Sequence, residues 1–125
     1  MSVHQPHLLP KVRSDQIMAS ASGRPCTLRI ASFLAGRRCR GPETTVLAHL
    51  PVWGKGMSTK VTDLAGAYSC STCHDLIDGR DASGHAYLME NFEAAVVGRM
   101  LHGLTETHAL MLADGVIQIP GAELV

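Results

Sequence analysis

The residues best suited to chemistry form one short run, Cys70-Ser-Thr-Cys73-His74-Asp75-Leu-Ile-Asp78. Two thiolates separated by two residues are a usual half of a structural zinc site. If a helix begins at the cysteine pair, His74 and Asp78 lie one turn apart on the same face, where an imidazole and a carboxylate can share a divalent cation. The run therefore predicts ligands for two metal sites of different kinds.

The two remaining cysteines, Cys26 and Cys39, can complete a four-cysteine zinc site, since tetrahedral coordination needs four ligands. Their separation is wider than a usual zinc knuckle, so a role as buried free thiols stays open. No charged segment followed by an apolar stretch of signal-peptide length opens the sequence, and we expect a cytoplasmic protein with reduced thiols. A thioredoxin-like redox role expects a βαβ context, which the pattern does not indicate.

A possible base and its partner precede the cysteine pair. His49 ends an apolar, β-branched run, where a histidine is either structural or functional. If this run pairs with a second strand at 64–69 and the helix carrying His74 packs across both, His49 can act as a general base toward water beside the metal. Asp63, just before the second strand, is either an ordinary turn residue or the group that orients His49.

The charge distribution indicates nucleic acid as a partner. The net charge is zero, yet residues 1–60 carry nine Lys and Arg against two acids. Basic residues can hold phosphates while carboxylates hold a metal, although chance patchiness of a surface remains the alternative. Aromatic residues are scarce, at 4%, so no stacking platform for single strands is evident. The predicted phosphate contacts are Arg37, Arg38, Lys55 and Lys60.

The hydropathy pattern predicts an α+β fold with a flexible leader over residues 1–22, holding a short helix at 15–21, and a single domain over 23–125. Its apolar stretches are too short to span a membrane. Strands are expected at 25–30, 44–50, 64–69 and 116–119. Helices are expected after the cysteine pair, where Gly79 should end the first, and at 85–101 and 105–113, with a loop at 81–84.

Taken in order, these residues resemble the HNH, or ββα-metal, nucleases. In that family a histidine at the end of the first strand is the general base, an asparagine or similar residue before the second strand orients it, and a histidine after the knuckle holds the catalytic metal. His49, Asp63 and His74 match these positions, with Asp78 as an added ligand. The position before the base, where many members carry a metal ligand, is Ala48.

More narrowly, segments 23–30, 42–49, 56–63 and 70–75 resemble the small nucleases encoded by phages and lambdoid prophages. The resemblance implies a zinc-stapled ββα-metal core, treble-clef-like, followed by C-terminal helices. It implies DNA as substrate and a catalytic divalent metal, Mg²⁺, Mn²⁺, Ni²⁺ or Zn²⁺, on His74 and Asp78. It also implies structural zinc on Cys26, Cys39, Cys70 and Cys73. The alternative is a non-catalytic zinc-binding module that contacts DNA or protein, as Ala48 would allow.

Overall fold

The computed structural model describes residues 11–52 and 61–125, and within them two strands form an antiparallel pair. Strand β1 spans Val46–His49 and strand β2 spans Gly66–Ser69. The helices of the described chain pack around this pair: α1 (Asp15–Ser20), α2 (Ser71–Asp78), α3 (Ala82–Asn91) and α4 (Glu93–Ala113). The chain is therefore a mixed structure of helices and a small sheet, as the sequence predicts.

One face of the strand pair carries the main core. Successive strand residues point to opposite faces, and Ala48 lies opposite Ala67 across the pair. Both alanines are fully buried in a cluster that includes residues of α2. The members that α2 and its N-cap supply are Cys70, Cys73, Leu76 and Ile77. This face therefore joins the sheet to the helix that begins at the cysteine pair.

The other face is covered by α1 and the end of α4. Leu47 lies opposite Tyr68, and both side chains are buried in a second cluster. The cluster is completed by Ile17, Ala21 and Met111. His49, two residues beyond Leu47 on the same strand, follows Leu47 toward the α1 face.

Helix α4 is fixed to β2 by buried hydroxyl groups. The Tyr68 amide donates to Thr107 Oγ1 at 3.0 Å, and the Thr27 hydroxyl donates to the Tyr68 carbonyl at 3.0 Å. Because the Thr27 proton is used in this way, the Thr107 hydroxyl donates to Thr27 Oγ1, 3.0 Å away. The side chains of Thr27, Tyr68 and Thr107 are fully buried, so these polar groups must find their hydrogen-bond partners inside the protein.

We expect Thr107→Val to lower the free energy of unfolding by about 1–3 kcal/mol, since it keeps the shape but leaves a buried amide without its acceptor. The matched control is Thr105→Val on the exposed side of α4, where the hydroxyl donates to the Leu101 carbonyl of the same helix. That change should stay within about 0.5 kcal/mol. Urea unfolding of the zinc-loaded protein measures both, and equal losses would contradict the proposed network.

Several predicted elements are confirmed, in shortened form. The strands at 44–50 and 64–69 appear as β1 and β2, and the short helix near 15–21 appears as α1. The helix after the cysteine pair is α2, and it ends at Gly79, whose φ of +81° is a left-handed conformation that glycine adopts without strain.

The strand predicted at 25–30 is wrong. Only the Thr27 amide pairs with β2, at the Tyr68 carbonyl, and the chain turns at Arg29, whose φ is +50°. The side chain of Arg99 holds this irregular segment from α4, because its guanidinium donates to the carbonyls of Thr27 and Leu28 at 2.7 and 3.0 Å. Tertiary hydrogen bonds therefore override the strand preference of the segment.

The predicted helix boundaries after Gly79 also need correction. The expected loop at 81–84 is the start of α3, because Asp81 caps that helix by accepting from the Gly84 amide. The chain breaks at Phe92 instead of near 101–105, and α4 runs on through Gly103. A Cβ at Gly103 would lie 3.0 Å from the Thr27 carbonyl oxygen, so this glycine permits close packing and does not end the helix.

The ends of the chain differ from the pattern in two ways. Residues 116–119 form bends and irregular chain, so the final strand is wrong. Of the predicted leader, residues 11–22 pack on the body, where Ile17 and Ala21 are buried, while residues 1–10 lie outside the described residues. The division at residue 22 stays a prediction.

Candidate functional site

The four cysteines come together from three separate parts of the chain. Cys26 lies in the irregular segment that Arg99 holds, and Cys39 lies in segment 36–40, which is rich in glycine and arginine. Cys70 and Cys73 lie at the start of α2. Their Sγ atoms all lie within 4.8 Å of one another. The two cysteines of the α2 start are fully buried. This is the only cluster of three or more potential metal ligands among residues 11–52 and 61–125.

The spacing of these sulfur atoms fits zinc. A tetrahedral site with Zn–S bonds of about 2.3 Å places its sulfurs about 3.8 Å apart. The distance between Cys39 Sγ and Cys73 Sγ is 3.7 Å, and none of the four cysteines is in a disulfide. The four residues are therefore positioned to bind a metal ion such as a structural zinc.

The protonation of the cluster also suits metal binding. The hydrogen bond from the Cys73 thiol lowers the pKa of Cys26 to about 4 against the opposing effect of burial, so Cys26 is a thiolate at neutral pH. Burial and the charge of Cys26 raise the pKa of Cys39 to about 12. The hydrogen bond to Cys26, together with burial, raises the pKa of Cys73. Metal uptake must therefore displace protons, which makes the apparent affinity increase with pH.

His49 and Asp63 form the second feature of the site. His49 Nε2 lies 2.9 Å from Asp63 Oδ1, close enough for a hydrogen bond between the ring and the carboxylate. Thr62 caps the short 3₁₀ turn Asp63–Ala65 that precedes β2, and this turn directs Asp63 back toward the end of β1. The aspartate that the sequence singled out thus contacts the histidine that it was predicted to orient.

The amino-terminal segment completes the surroundings of Asp63, which is only 3% exposed. The Ser14 amide donates to its Oδ2 at 2.7 Å, and the Arg13 guanidinium lies 3.3 Å from its Oδ1. Burial by itself raises the pKa of Asp63, but the hydrogen bonds from His49 and the Ser14 amide, with the charges of His49 and Arg13, hold that pKa below its usual value. Asp63 is therefore a carboxylate at neutral pH.

A cleft of about 380 Å³ opens beside this pair. Its walls include His49 and Asp63 together with Arg13 and Met18 from the amino-terminal segment. Sequence reasoning missed Arg13 and Ser14, because they lie about 50 residues from Asp63 along the chain and in a stretch without periodicity. No local signal could have identified them.

His74 and Asp78 form a third feature at the exposed side of α2. His74 Nε2 lies 2.9 Å from Asp78 Oδ2, as their predicted spacing of one helical turn requires. The guanidinium of Arg80 donates to the same Asp78 oxygen at 2.9 Å and lies 3.4 Å from His74 Nδ1. Asp75 is on the edge of this group, 3.5 Å from Arg80 Nε. An imidazole and a carboxylate at this distance could hold a divalent cation, with water or substrate as further ligands.

The residues predicted to contact phosphates differ in their surroundings. Arg37 is bound to the Asp81 carboxylate by two hydrogen bonds, from Nε at 2.8 Å and from Nη2 at 3.2 Å. Arg38, the next residue, is exposed. Lys55 and Lys60 lie outside the described residues.

No helix of the described ranges combines the length and the apolar character that crossing a membrane requires.

Comparisons with known proteins bear on the whole arrangement. The family model described as "Putative nuclease YbcO" matches residues 15–115. A curated protein of Escherichia coli (strain K12) named "Putative nuclease YbcO" is 38% identical over 100 residues, which cover 79% of this chain and 93% of that protein. A protein of Enterobacteria phage 82 with the same description matches to the same extent.

A solved structure is also similar. It is titled "Structure of a putative bacteriophage protein from Escherichia coli str. K-12 substr. MG1655". Its TM-score is 0.54 at 33% sequence identity, and the match covers 78% of this chain and 98% of that chain. The matched family range includes every described residue of the three features above except Arg13 and Ser14.

Proposed function

Because this chain belongs to the family described as "Putative nuclease YbcO", we propose that it is a metal-dependent endonuclease of the HNH type that hydrolyses phosphodiester bonds of DNA. The observation that carries the proposal is the 2.9 Å contact between His49 Nε2 and the buried Asp63 carboxylate. A histidine held by an ionised carboxylate at the edge of a cleft is the arrangement that activates water for attack on phosphorus. The phage protein among the relatives supports a phage or prophage origin.

The first role belongs to His49 as the general base. When Nε2–H donates to Asp63, His49 in its neutral form can accept a proton from water. The negative charge of Asp63 then stabilises the imidazolium that forms when His49 takes a proton from water. Asp63 acts through His49 and is a positioning residue, which explains why a carboxylate can stand where related nucleases use an asparagine.

The second role belongs to His74 and Asp78, which would hold the catalytic cation. Their nitrogen and oxygen donors suit Mg²⁺, Mn²⁺, Ni²⁺ or Zn²⁺. When bound, the cation would stabilise the negative charge on the phosphate and on the leaving oxygen. Without it, Arg80 occupies the same carboxylate oxygen, so Arg80 and a cation would compete for Asp78.

The four-cysteine cluster would hold a structural zinc that fixes α2 to the sheet. The order β1, β2, α2 with cysteines at the helix start is the arrangement expected of a ββα-metal core, and supports placing the chain in the HNH group. DNA phosphates would be contacted by Arg38 and the two lysines at 55 and 60, while Arg37 is already bound to Asp81.

Plasmid nicking tests the proposal. The zinc-loaded protein should convert supercoiled plasmid to the open circle with at least one of Mg²⁺, Mn²⁺, Ni²⁺ or added Zn²⁺. His74→Ala should need a higher concentration of that metal or lose nicking, because one ligand is gone, while DNA binding and structural zinc stay unchanged. His102→Ala is the matched control, since His102 is exposed on α4 and pairs only with Glu106 among the described residues.

A second candidate is a zinc-binding module that binds DNA or protein without cleaving it. Ala48 favours it, because its side chain is fully buried against Ala67 and offers no ligand next to His49. Plasmid that is bound but not nicked with any of the four metals would favour this module. If His74→Ala nicks plasmid at the same metal concentration as the parent, His74 has no part in the mechanism.

A further inference from the structure

Aromatic side chains gather at one exposed corner of the molecule, next to α3. Phe33 and Phe92 stack with ring centroids 5.6 Å apart and planes inclined by 14°, and Tyr87 lies against Phe92 with centroids 6.0 Å apart. These are three of the five aromatic residues of the chain. The side chain of Tyr87 is 49% exposed, so one side of the group faces solvent. The composition indicated no stacking platform, but most of the few aromatic residues of the chain lie together at this corner.

A cleft of about 360 Å³ runs along this corner, which we name the aromatic cleft. Tyr87 forms one wall, Leu34 and Ala35 contribute apolar surface, and Gly84 at the start of α3 completes the lining on that side. The Tyr87 hydroxyl makes no hydrogen bond to any residue that the structure describes. The cleft thus combines one aromatic ring and apolar side chains with polar groups at its edge, which are the features that suit a planar heterocycle.

One arginine lines the aromatic cleft, and a second arginine follows it directly in the chain. Arg37 lines it, and the paired hydrogen bonds to Asp81 fix the plane of the guanidinium, which can then stack on a ring through its face. The charge of Arg37 is balanced by Asp81, so it orients a ligand more than it attracts one. Arg38 is the next residue and is exposed, so its charge is available to a phosphate in solution.

The aromatic cleft is close to the proposed catalytic cation. Asp81, which holds Arg37, is three residues from Asp78, so their Cα atoms are at most about 11 Å apart. Arg80 lies between them and contacts both Asp78 and His74. A nucleic acid strand that placed a phosphate at Asp78 could therefore place a nearby base at Tyr87.

We propose that the aromatic cleft binds an unpaired nucleobase of DNA by stacking on Tyr87. The preferred substrate of the nuclease would then be DNA with a single-stranded stretch next to the cleaved bond. The substrate preference rests on the proposed function, whereas the binding of a base to the cleft does not. Stacked rings, an oriented guanidinium and an exposed arginine together match a base with its phosphate better than they match an apolar peptide, which needs no cation.

Binding to labelled oligonucleotides tests the cleft. Zinc-loaded protein without added divalent metal is titrated, by fluorescence anisotropy, into a single strand, the same strand with abasic sites throughout, and the matching duplex. Tyr87→Ala should weaken binding of the base-containing strand by about 5- to 100-fold, the range found for one stacked base. Tyr87→Phe should restore it, because the ring remains.

The control is Leu101→Ala, which shortens an exposed apolar side chain on α4, outside the aromatic cleft, and should leave every affinity unchanged. Equal affinity of the parent for the base-containing and abasic strands would overturn the base-binding proposal. A Tyr87→Ala variant that binds the base-containing strand as tightly as the parent would also overturn it. If base-dependent binding holds but no DNA is nicked with any metal, the binding site stands and the nuclease proposal fails.

Nicking rates on two plasmid-length duplexes, one fully paired and one with a short unpaired stretch, test the substrate class. Faster nicking beside the unpaired stretch, lost in Tyr87→Ala and kept in Leu101→Ala, is the expected result. Equal rates on both substrates would overturn the preference for unpaired DNA.

Discussion

Replacing His49 by alanine is expected to lower the rate of plasmid nicking by about 10²-fold or more, the usual effect of losing a positioned general base. The zinc content, the fold and the affinity for DNA should be kept, because the side chain is partly exposed at the end of β1 and lies outside both buried clusters. The free energy of unfolding should fall, since the buried Asp63 carboxylate loses its bond to His49. The rates are compared at saturating metal. His102→Ala again controls for the loss of an exposed histidine.

Asp63→Asn separates orientation from folding in the same assay. The amide keeps the shape of the carboxylate but loses the charge that Arg13 and His49 face, so we expect slower nicking with unchanged DNA binding. The free energy of unfolding, measured alongside, shows how much of the loss comes from disturbed packing. If His49→Ala nicks as fast as the parent, His49 is not the base and the pair with Asp63 is structural.

The second large effect concerns the cysteine cluster. Cys70→Ser should abolish tight zinc binding and unfold most of the chain, because structural zinc contributes about 10–16 kcal/mol in small domains. Chelation of the parent should have the same effect. Elemental analysis and circular dichroism, with and without chelator, measure both.

The matched control is Ser71→Ala, one residue away in the first turn of α2, which removes a side chain that is not a zinc ligand. It should keep the zinc and the fold. Protein purified without any bound zinc, or a Cys70→Ser variant as stable as the parent, would contradict a structural metal at this cluster.

Those features of the site that depend on local spacing could be predicted from the sequence. A helix starting at Cys70 places His74 and Asp78 one turn apart, and the structure has this contact. The contact between His49 and Asp63 spans only the ends of two neighbouring strands. In both cases the residues that determine the geometry lie within about 15 positions of each other, so the sequence pattern carries the information.

The rest depends on contacts between distant segments. The run after Cys26 has the composition of a strand, but carbonyl groups held by Arg99, more than 70 residues later, keep it irregular. The aromatic group beside the cleft stacks Phe33 on Phe92, and no short window of sequence brings these two residues together. Hydrogen bonds and packing of this kind become visible only when the chain is folded.

The bond from the Ser14 amide to Asp63 ties the candidate site to the amino-terminal segment. The cysteine cluster draws on residues 26–73, so zinc binding uses no residue of that segment. Without α1 docked, Asp63 would lack the Ser14 amide and the guanidinium of Arg13 and would be open to water. Docking of α1 therefore helps to set the His49 pair, whereas metal binding at the cysteines depends on a different part of the chain.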